Sequence, residues 1–342
     1  MIFVKTMTLG RTGIVTGASA FGALPIQRIS AQDAVRLMHR AFDAGMTFFD
    51  TARFYTDSEE KLGLAFGGRN DVVISTKSMA QNGDDLLKEL DISLGELKRD
   101  YIDVYKFHNP KFCPRPGDGS GLYEAALKAK QQGKIRHIGI SQHSHIVATE
   151  AIESGLYDVL QYPLSYISDD KDIAVAERCI QHGIGFVVMK AMAGGLITNS
   201  AAASAWLAQY DVLPIWGIQR ENELDEFIAH IKNPPSLTAE IKAAIEADRA
   251  ALMGEFCRGC GYCLPCPVGI PVNFAARMGQ FLRRFSSEFW LSGEGQAQMA
   301  RVENCTNCGR CAANCPYGLD VVDLIHRHYD DYRGIISGEV KI

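Results

Sequence analysis

Between Ile14 and about Lys232 one pattern recurs eight times: a short β-branched or aromatic run, a polar turn, then an amphipathic helical stretch. The runs are IVTGASAFG, MTFFDTA, DVVISTKS, YIDVYKFH, IRHIGIS, YDVLQY, IGFVVMK and VLPIWGI. Between them lie segments such as SAQDAVRLMHRAFDAG, in which Val35, Met38, Ala41 and Phe42 fall at helical spacing and Gly45 supplies the stop. DDLLKELDISLGELKRD, GLYEAALKAKQQG, DIAVAERCIQHG and NELDEFIAHIK read the same way. Eight such pairs in succession predict an α/β chain closed into a (β/α)8 barrel. A doubly wound open sheet would carry a glycine-rich fingerprint after its first strand, and Gly17 and Gly22 do not form one.

The pattern breaks at Asn233-Pro234-Pro235, and the charged helix TAEIKAAIEADRAALMGE follows. The expected organisation is a barrel over 1–235, a linker helix over 236–255, a small, mainly helical iron–sulfur domain over 256–322, and a C-terminal tail over 323–342 that folds back on one of the two domains. The chain has 342 residues, enough for one large domain and a small one. Lys and Arg total 35 against 40 Asp and Glu, a formal charge of -5 that gives no general attraction for nucleic acid or anionic membrane. No apolar run is long enough for a signal peptide or a membrane span, so a cytoplasmic location is expected.

All but two of the ten cysteines fall after residue 256, in two tight groups. In a reducing compartment such spacing argues for metal ligation rather than disulfides. CTNCGRCAANCP places Cys305, Cys308, Cys311 and Cys315 at the C-x2-C-x2-C-x3-C-P spacing of bacterial ferredoxins. CRGCGYCLPCP places Cys257, Cys260, Cys263 and Cys266 at uniform three-residue steps, again before proline. Eight thiolates so spaced suffice for two [4Fe–4S] clusters. Ferredoxin ligation exchanges the fourth cysteine, which groups Cys257, Cys260, Cys263 and Cys315, and separately Cys305, Cys308, Cys311 and Cys266. The compressed spacing before Cys266 leaves a single-cluster form open, and structural zinc is the alternative metal. Arg283 and Arg284 between the groups are candidates to steer a phosphate or acidic partner, a solvated helix face being the plainer reading.

In a barrel of this kind, polar side chains at the carboxyl ends of strands meet in one mouth. Asp50 ends FFD, Lys77 ends ISTK, His108 ends YKFH, and Tyr55 follows Asp50 by five residues in the loop before a helix. Singly, each has a plain reading as a loop charge or packed ring. Together they suit hydride transfer to a carbonyl, because the developing alkoxide needs a proton and a fixed field of donors. Lys77 is expected to favour ionisation of Tyr55, Asp50 to hold Lys77 charged, and His108 to donate to the carbonyl oxygen. In the loop NPKFCPRPGDGSG, Lys111 and Arg115 are candidates to select an anionic substrate, and Cys113 is placed beside the mouth. Cys179 lies in a helix and reads as packing.

Through DTARFYTDSEEKLG, VVISTK, YIDVYKFHNP, GKIRHIGIS, VLQY and GFVVMKAMAGG the chain resembles the aldo-keto reductases, specifically the bacterial and archaeal branch with an appended iron–sulfur domain. The resemblance implies a (β/α)8 barrel using a nicotinamide coenzyme without flavin, with Tyr55 as general acid and Asp50, Lys77 and His108 as its partners. It implies that Ser141 and Gln161 contact the nicotinamide carboxamide. Gln142 stands where many relatives have Asn, and Met189 and Lys190 lie in the stretch that replaces an aromatic stacking segment. In WGIQRENELDEF, Gly217 and Gln219 are placed near the adenosine phosphates and Arg220 near a 2′-phosphate, while Glu223 and Phe227 depart from the phosphate-reading pattern. Family habit favours NADP, with NAD as the alternative.

The reading that follows is an oxidoreductase interconverting a carbonyl and an alcohol with NAD(P)(H), acting on a small-molecule substrate. The clusters motivate a second reading, an enzyme coupling its barrel site to a ferredoxin-like electron carrier. A third is a non-catalytic redox-sensing module.

Overall fold

The computed structural model describes residues 5–252, 256–284, 288–315 and 317–341; the side chains of Arg283 and Arg284, and Pro316 of the second cysteine motif, lie outside the described residues. The chain divides into two compact units, one comprising residues up to Ala191 with Ser200–Ile241, the other Met192–Asn199 with Lys242 onward.

The first unit opens with a hairpin of β1 (Thr6–Thr8) and β2 (Val15–Gly17), paired antiparallel. Eight strands then form a closed parallel barrel: β3 (Ala20–Gly22), β4 (Phe48–Asp50), β5 (Val73–Ser78), β6 (Ile102–His108), β7 (Ile135–Ser141), β8 (Val159–Pro163), β9 (Gly185–Met189) and β10 (Leu213–Gly217), with β10 closing on β3. The helices α1 (Ala31–Asp43), α2 (Ser58–Phe66), α3 (Gly83–Leu97), α4 (Leu122–Gln131), α5 (His145–Ser154), α6 (Asp170–Gln181), α7 (Ser200–Leu207) and α8 (Glu221–Lys232) follow successive strands. Ser30, Asn82 and Ser144 each accept the backbone N–H three residues on, which fixes where α1, α3 and α5 begin. The division between units falls within α9 (Ala239–Leu252).

The run IVTGASAFG, read in sequence as one strand, is two. Val15–Gly17 belongs to the hairpin and Ala20–Gly22 to the barrel. The hairpin delivers Leu9 onto the amino-terminal ends of the strands, where it is fully buried with Ala20, Phe48, Val104, Val159, Val187 and Leu213. That insertion needs Gly185, because a Cβ there would lie 2.6 Å from Leu9 Cγ. One end of the barrel is thus plugged by apolar side chains, and polar strand-end residues collect at the other.

The second unit is helical: α10 (Val272–Ala275), α11 (Met278–Arg284), α12 (Glu288–Leu291), α13 (Gly293–Met299), α14 (Arg310–Ala313) and α15 (Val321–Ser337). The segment expected as a tail forms most of α15. Its Leu324, Ile325, Tyr329, Tyr332 and Ile335 pack in the same core as Ile270, Val272, Met278 and Trp290 of this unit. Tyr332 anchors the helix by donating to the carbonyl of Trp290 at 2.6 Å. Among the described residues no helix is long and apolar enough to cross a membrane.

Candidate active site

Parallel pairing brings the predicted strand-end residues side by side. Lys77 pairs in register with Lys106, His108 with Ser141, and Ser141 with Gln161, while Asp50 sits beside Gly22 and Ser75. Asp50 is the hub of this layer. Lys77 Nζ donates to Asp50 Oδ2 at 2.6 Å and to the Thr51 carbonyl at 2.5 Å. Lys106 Nζ donates to Asp50 Oδ1 and, at 2.6 Å, to Gln161 Oε1, while Gln161 Nε2 donates to Asp50 Oδ2 at 3.1 Å. Tyr55 stands over this layer: Lys77 Nζ is 5.1 Å from its ring centre, and the His108 ring meets it edge-on at 5.8 Å between centroids.

The electrostatics follow from burial and from this wiring. Burial pushes Asp50 up, but Lys106 and Lys77 outweigh it and hold the carboxyl down at about 2. Burial pulls Lys77 down, and Asp50 with Tyr55 more than offsets that, so Lys77 stays an ammonium. Tyr55 departs from the sequence expectation: burial raises its phenol, and Lys77, which acts the other way, does not win. A protonated phenol beside a held ammonium is the arrangement of a proton donor. Burial and then Lys77 take His108 down to about 3, so it is a neutral imidazole at ordinary pH, and its buried Nδ1 has no hydrogen-bond partner. An unmet polar atom next to a protonated phenol fits a carbonyl and a coenzyme ring at this mouth.

The loop carrying Tyr55 is fixed from below. Arg53 bonds Glu59 and, at 2.6 Å, Glu96. Glu59 is 1% exposed and also accepts from Thr76 at 2.5 Å and Ser93 at 3.1 Å. Ser58 at the start of α2 donates to the Ala23 carbonyl at 3.0 Å, and its hydroxyl shares a hydrogen bond with that of Thr51. Lys106, Arg53 and Glu59 were not singled out in the sequence. The available signal was a charged residue inside or beside a run that otherwise reads as wholly buried.

The residues expected on the coenzyme side divide into two groups. Ser141 and Gln161 are buried at adjacent strand ends, next to His108 and Asp50. Gln142 is committed to the protein: its amide donates to the Pro110 carbonyl at 2.6 Å and accepts from the backbone of His143 and Ser144. Met189 ends β9, and Lys190 follows with a positive φ of 57°. Gly217 ends β10, and Glu223 caps α8 by accepting the N–H groups of Gln219 at 2.9 Å and Arg220 at 3.1 Å. The Arg220 side chain is exposed. Phe227 is buried and stacked on Trp216 at 4.5 Å, which makes it a packing residue. Lys111 and Arg115 are exposed, and Cys113 is buried with its sulfur 3.9 Å from the Tyr157 hydroxyl. Cys179 is fully buried in α6.

In the second unit the cysteine loops surround two cavities. One is lined by Cys257, Cys260, Cys263 and Cys315 together with Tyr262, Tyr317 and Leu319. The other is lined by Cys263, which the two cavities share, and by Cys266, Cys305, Cys308 and Cys311. Among the described residues no three His, Cys, Asp or Glu side chains are arranged to hold a single metal ion. Cys257, Cys263, Cys266, Cys305, Cys311 and Cys315 are partly buried and pack against the apolar core of the unit.

A model of the Aldo/keto reductase family matches residues 13–205, and a model of a 4Fe-4S dicluster domain matches residues 256–320. The chain is 30% identical over 219 residues to L-galactose dehydrogenase of Arabidopsis thaliana, covering 58% of this chain and 69% of that protein. It is likewise 30% identical over 208 residues to methylglyoxal reductase DkgB of Escherichia coli O157:H7, covering 57% and 74%. Among solved structures the fold matches the holo form of an aldo-keto reductase from Bacillus halodurans with a TM-score of 0.64 at 21% identity, over 74% of this chain and 99% of that one. An aldo-keto reductase from Klebsiella pneumoniae in complex with NADPH matches with a TM-score of 0.61 at 21% identity, over 72% and 95%. With more than half of its length under the first family model and the buried Asp50, Lys77 and His108 layer built on the matched strands, the chain belongs to the aldo/keto reductase family, the NAD(P)H-dependent oxidoreductases that interconvert carbonyls and alcohols, and carries a ferredoxin-like 4Fe-4S domain after the barrel.

Proposed function

We propose that the reaction is carried by Tyr55 as general acid in reduction and general base in oxidation, with Lys77, Asp50 and His108 as its partners. The observation that carries this reading is the buried layer in which Lys77 joins Asp50 at 2.6 Å and stands against the Tyr55 ring. When bound, the reduced nicotinamide supplies a hydride to the carbonyl carbon. Tyr55 then delivers its proton to the carbonyl oxygen, neutral His108 donates an N–H to the same oxygen, and Lys77 stabilises the phenolate left behind. Ser141 and Gln161, buried beside this layer, are the residues we assign to the carboxamide, with Met189 and Lys190 on the ring side. Gly217 and Gln219 line the phosphate side, Arg220 reads a 2′-phosphate, and Gln142 supports the site by holding its loop. NADP is therefore the preferred coenzyme in this reading, although Glu223 sits close by.

The functional division we propose is a reductase barrel over 1–235 and, after the linker, an iron–sulfur domain over 256–322. The two cavities support two [4Fe–4S] clusters with the fourth cysteines exchanged: Cys257, Cys260, Cys263 and Cys315 hold one, and Cys305, Cys308, Cys311 and Cys266 the other. Bound there, the clusters supply one-electron chemistry. The exposure of Cys308 supports a ferredoxin-like carrier as their partner. The free cysteines, read as iron–sulfur ligands, support a cytoplasmic location.

A steady-state assay of NADPH and NADH oxidation against a panel of aldehydes, α-oxoaldehydes and oxidised sugars tests the reading. Coenzyme oxidation that requires the carbonyl, with NADPH preferred and with that preference lost in Arg220→Ala, is expected. Coenzyme binding with no carbonyl-dependent oxidation across the panel would contradict it.

A further inference from the structure

The catalytic layer contains one charged group that the chemistry above does not use. Lys106 is 0% exposed, lies on β6 two residues before His108, and its ammonium, among the described residues, bonds Asp50 and Gln161. The barrel is built around it. Gly139 faces Lys106 in register on β7, and a Cβ there would stand 2.7 Å from Lys106 Cγ, so β7 leaves space for the stem. Asp50 therefore answers two ammonium groups with one carboxylate, and a protonated Lys106 leaves one positive charge uncompensated in the interior. Such a charge is costly to bury, and a state of the site in which Lys106 is discharged removes that cost.

The reaction supplies that state. A reduced nicotinamide ring is neutral and an oxidised one is a cation, so each reduction adds one positive charge to the mouth. We propose that Lys106 is a positioning residue that acts through Asp50 as the proton reservoir of the site, an ammonium while reduced coenzyme is bound and an amine once the coenzyme is oxidised. The inference rests on the reading of Tyr55 and Lys77 given above.

The steps balance. Hydride leaves the coenzyme with its electron pair and forms the new C–H bond at the carbonyl carbon. The Tyr55 O–H bond breaks and its proton goes to the carbonyl oxygen. Lys77 returns a proton to the Tyr55 oxygen, and Lys106 gives up an N–H proton, which crosses Asp50 to restore Lys77. In sum, a carbonyl, reduced coenzyme and the Lys106 ammonium become an alcohol, oxidised coenzyme and the Lys106 amine. The charge is one positive on each side.

Both forms of Lys106 are accessible near neutrality: burial takes it down to about 7 against the pull of Asp50, with Lys77 adding to the fall. The titratable groups around it are Asp50 from β4, Lys77 from β5 and His108 on its own strand, while the β7 and β8 side presents uncharged Gly139, Val159 and Gln161. Protonation of Lys106 then opposes oxidised coenzyme and favours reduced coenzyme.

The test is the dissociation constant of each coenzyme form, read by fluorescence from about pH 6 to about pH 8.5. For the wild-type protein the ratio of oxidised to reduced Kd should fall as pH rises, by up to about tenfold per pH unit where Lys106 is protonated in one complex only. Lys106→Met should remove the slope, and so should Lys106→Arg, which keeps the charge but cannot release a proton. A pH-independent ratio in wild-type protein whose turnover still collapses on Tyr55→Phe would overturn the reservoir and leave the reductase reading standing. Retention of the slope in Lys106→Arg would also overturn it. Full turnover in Tyr55→Phe would remove both.

Discussion

Tyr55→Phe is expected to lower carbonyl reduction by roughly a hundredfold to ten-thousandfold while leaving coenzyme affinity within about a factor of two. The phenol is the one group over the layer that is both protonated and wired to a charged lysine: burial raises its pKa, and Lys77 stands 5.1 Å from its ring. Phenylalanine keeps the ring, its edge contact with His108 and the fit of the loop, so the loss isolates the proton. The Arg53, Glu59 and Glu96 contacts that hold this loop do not involve the Tyr55 hydroxyl, so folding should be unaffected. Single-turnover rates in wild-type and variant protein, with coenzyme Kd measured alongside, check the split between chemistry and binding. An unchanged rate would remove Tyr55 from the reaction.

The second large effect concerns the helical unit. Stripping iron from the protein is expected to unfold that unit while the barrel survives. The two cysteine loops carry little regular structure, yet Cys257, Cys263, Cys266, Cys305, Cys311 and Cys315 pack against its core, so the cavities between them are part of what the core is built around. Where metal fills such spaces, binding free energy is folding free energy. Circular dichroism should lose the helical signal of α10 to α15, and limited proteolysis should release a barrel fragment. Cys260→Ala, which touches only the cavity shared with Cys315, should lower iron from about eight to about four per chain and leave the other cluster's paramagnetic signal in place. Full iron content in Cys260→Ala, or an unchanged helical unit without iron, would contradict the ligand assignment.

The barrel and the meeting of Asp50, Tyr55, Lys77 and His108 at one mouth are legible in the sequence because the relevant signals are local. Asp50, Lys77 and His108 each end an apolar run, and parallel strands bring their ends together. Lys106 was hidden by the same logic: within YIDVYKFH it interrupts a run whose other members are apolar or aromatic around Asp103, and only the closed barrel shows that it shares Asp50 with Lys77. The hairpin is not legible because IVTGASAFG has no Pro or charged residue to separate its β-branched start from Phe21. The break lies in backbone crowding: a Cβ on Gly17 would stand 2.0 Å from the Gly45 carbonyl oxygen, which no periodicity reveals. The place of α15 was left open because its apolar face is amphipathic in sequence whichever unit it covers. The ionisation of Tyr55 went the other way from expectation because desolvation, invisible in sequence, exceeds the attraction of Lys77.

The most direct measurement follows the hydride. Purified, iron-loaded protein is given NADPH deuterated on the transferred C4 position together with a carbonyl substrate, under anaerobic conditions, and the alcohol is analysed by mass spectrometry. One deuterium on the carbinol carbon per coenzyme oxidised, with the clusters unchanged in paramagnetic resonance and labelled product lowered at least about a hundredfold in Tyr55→Phe over the same interval, is the predicted result. Deuterium lost to solvent with concomitant reduction of the clusters would contradict direct transfer in the barrel.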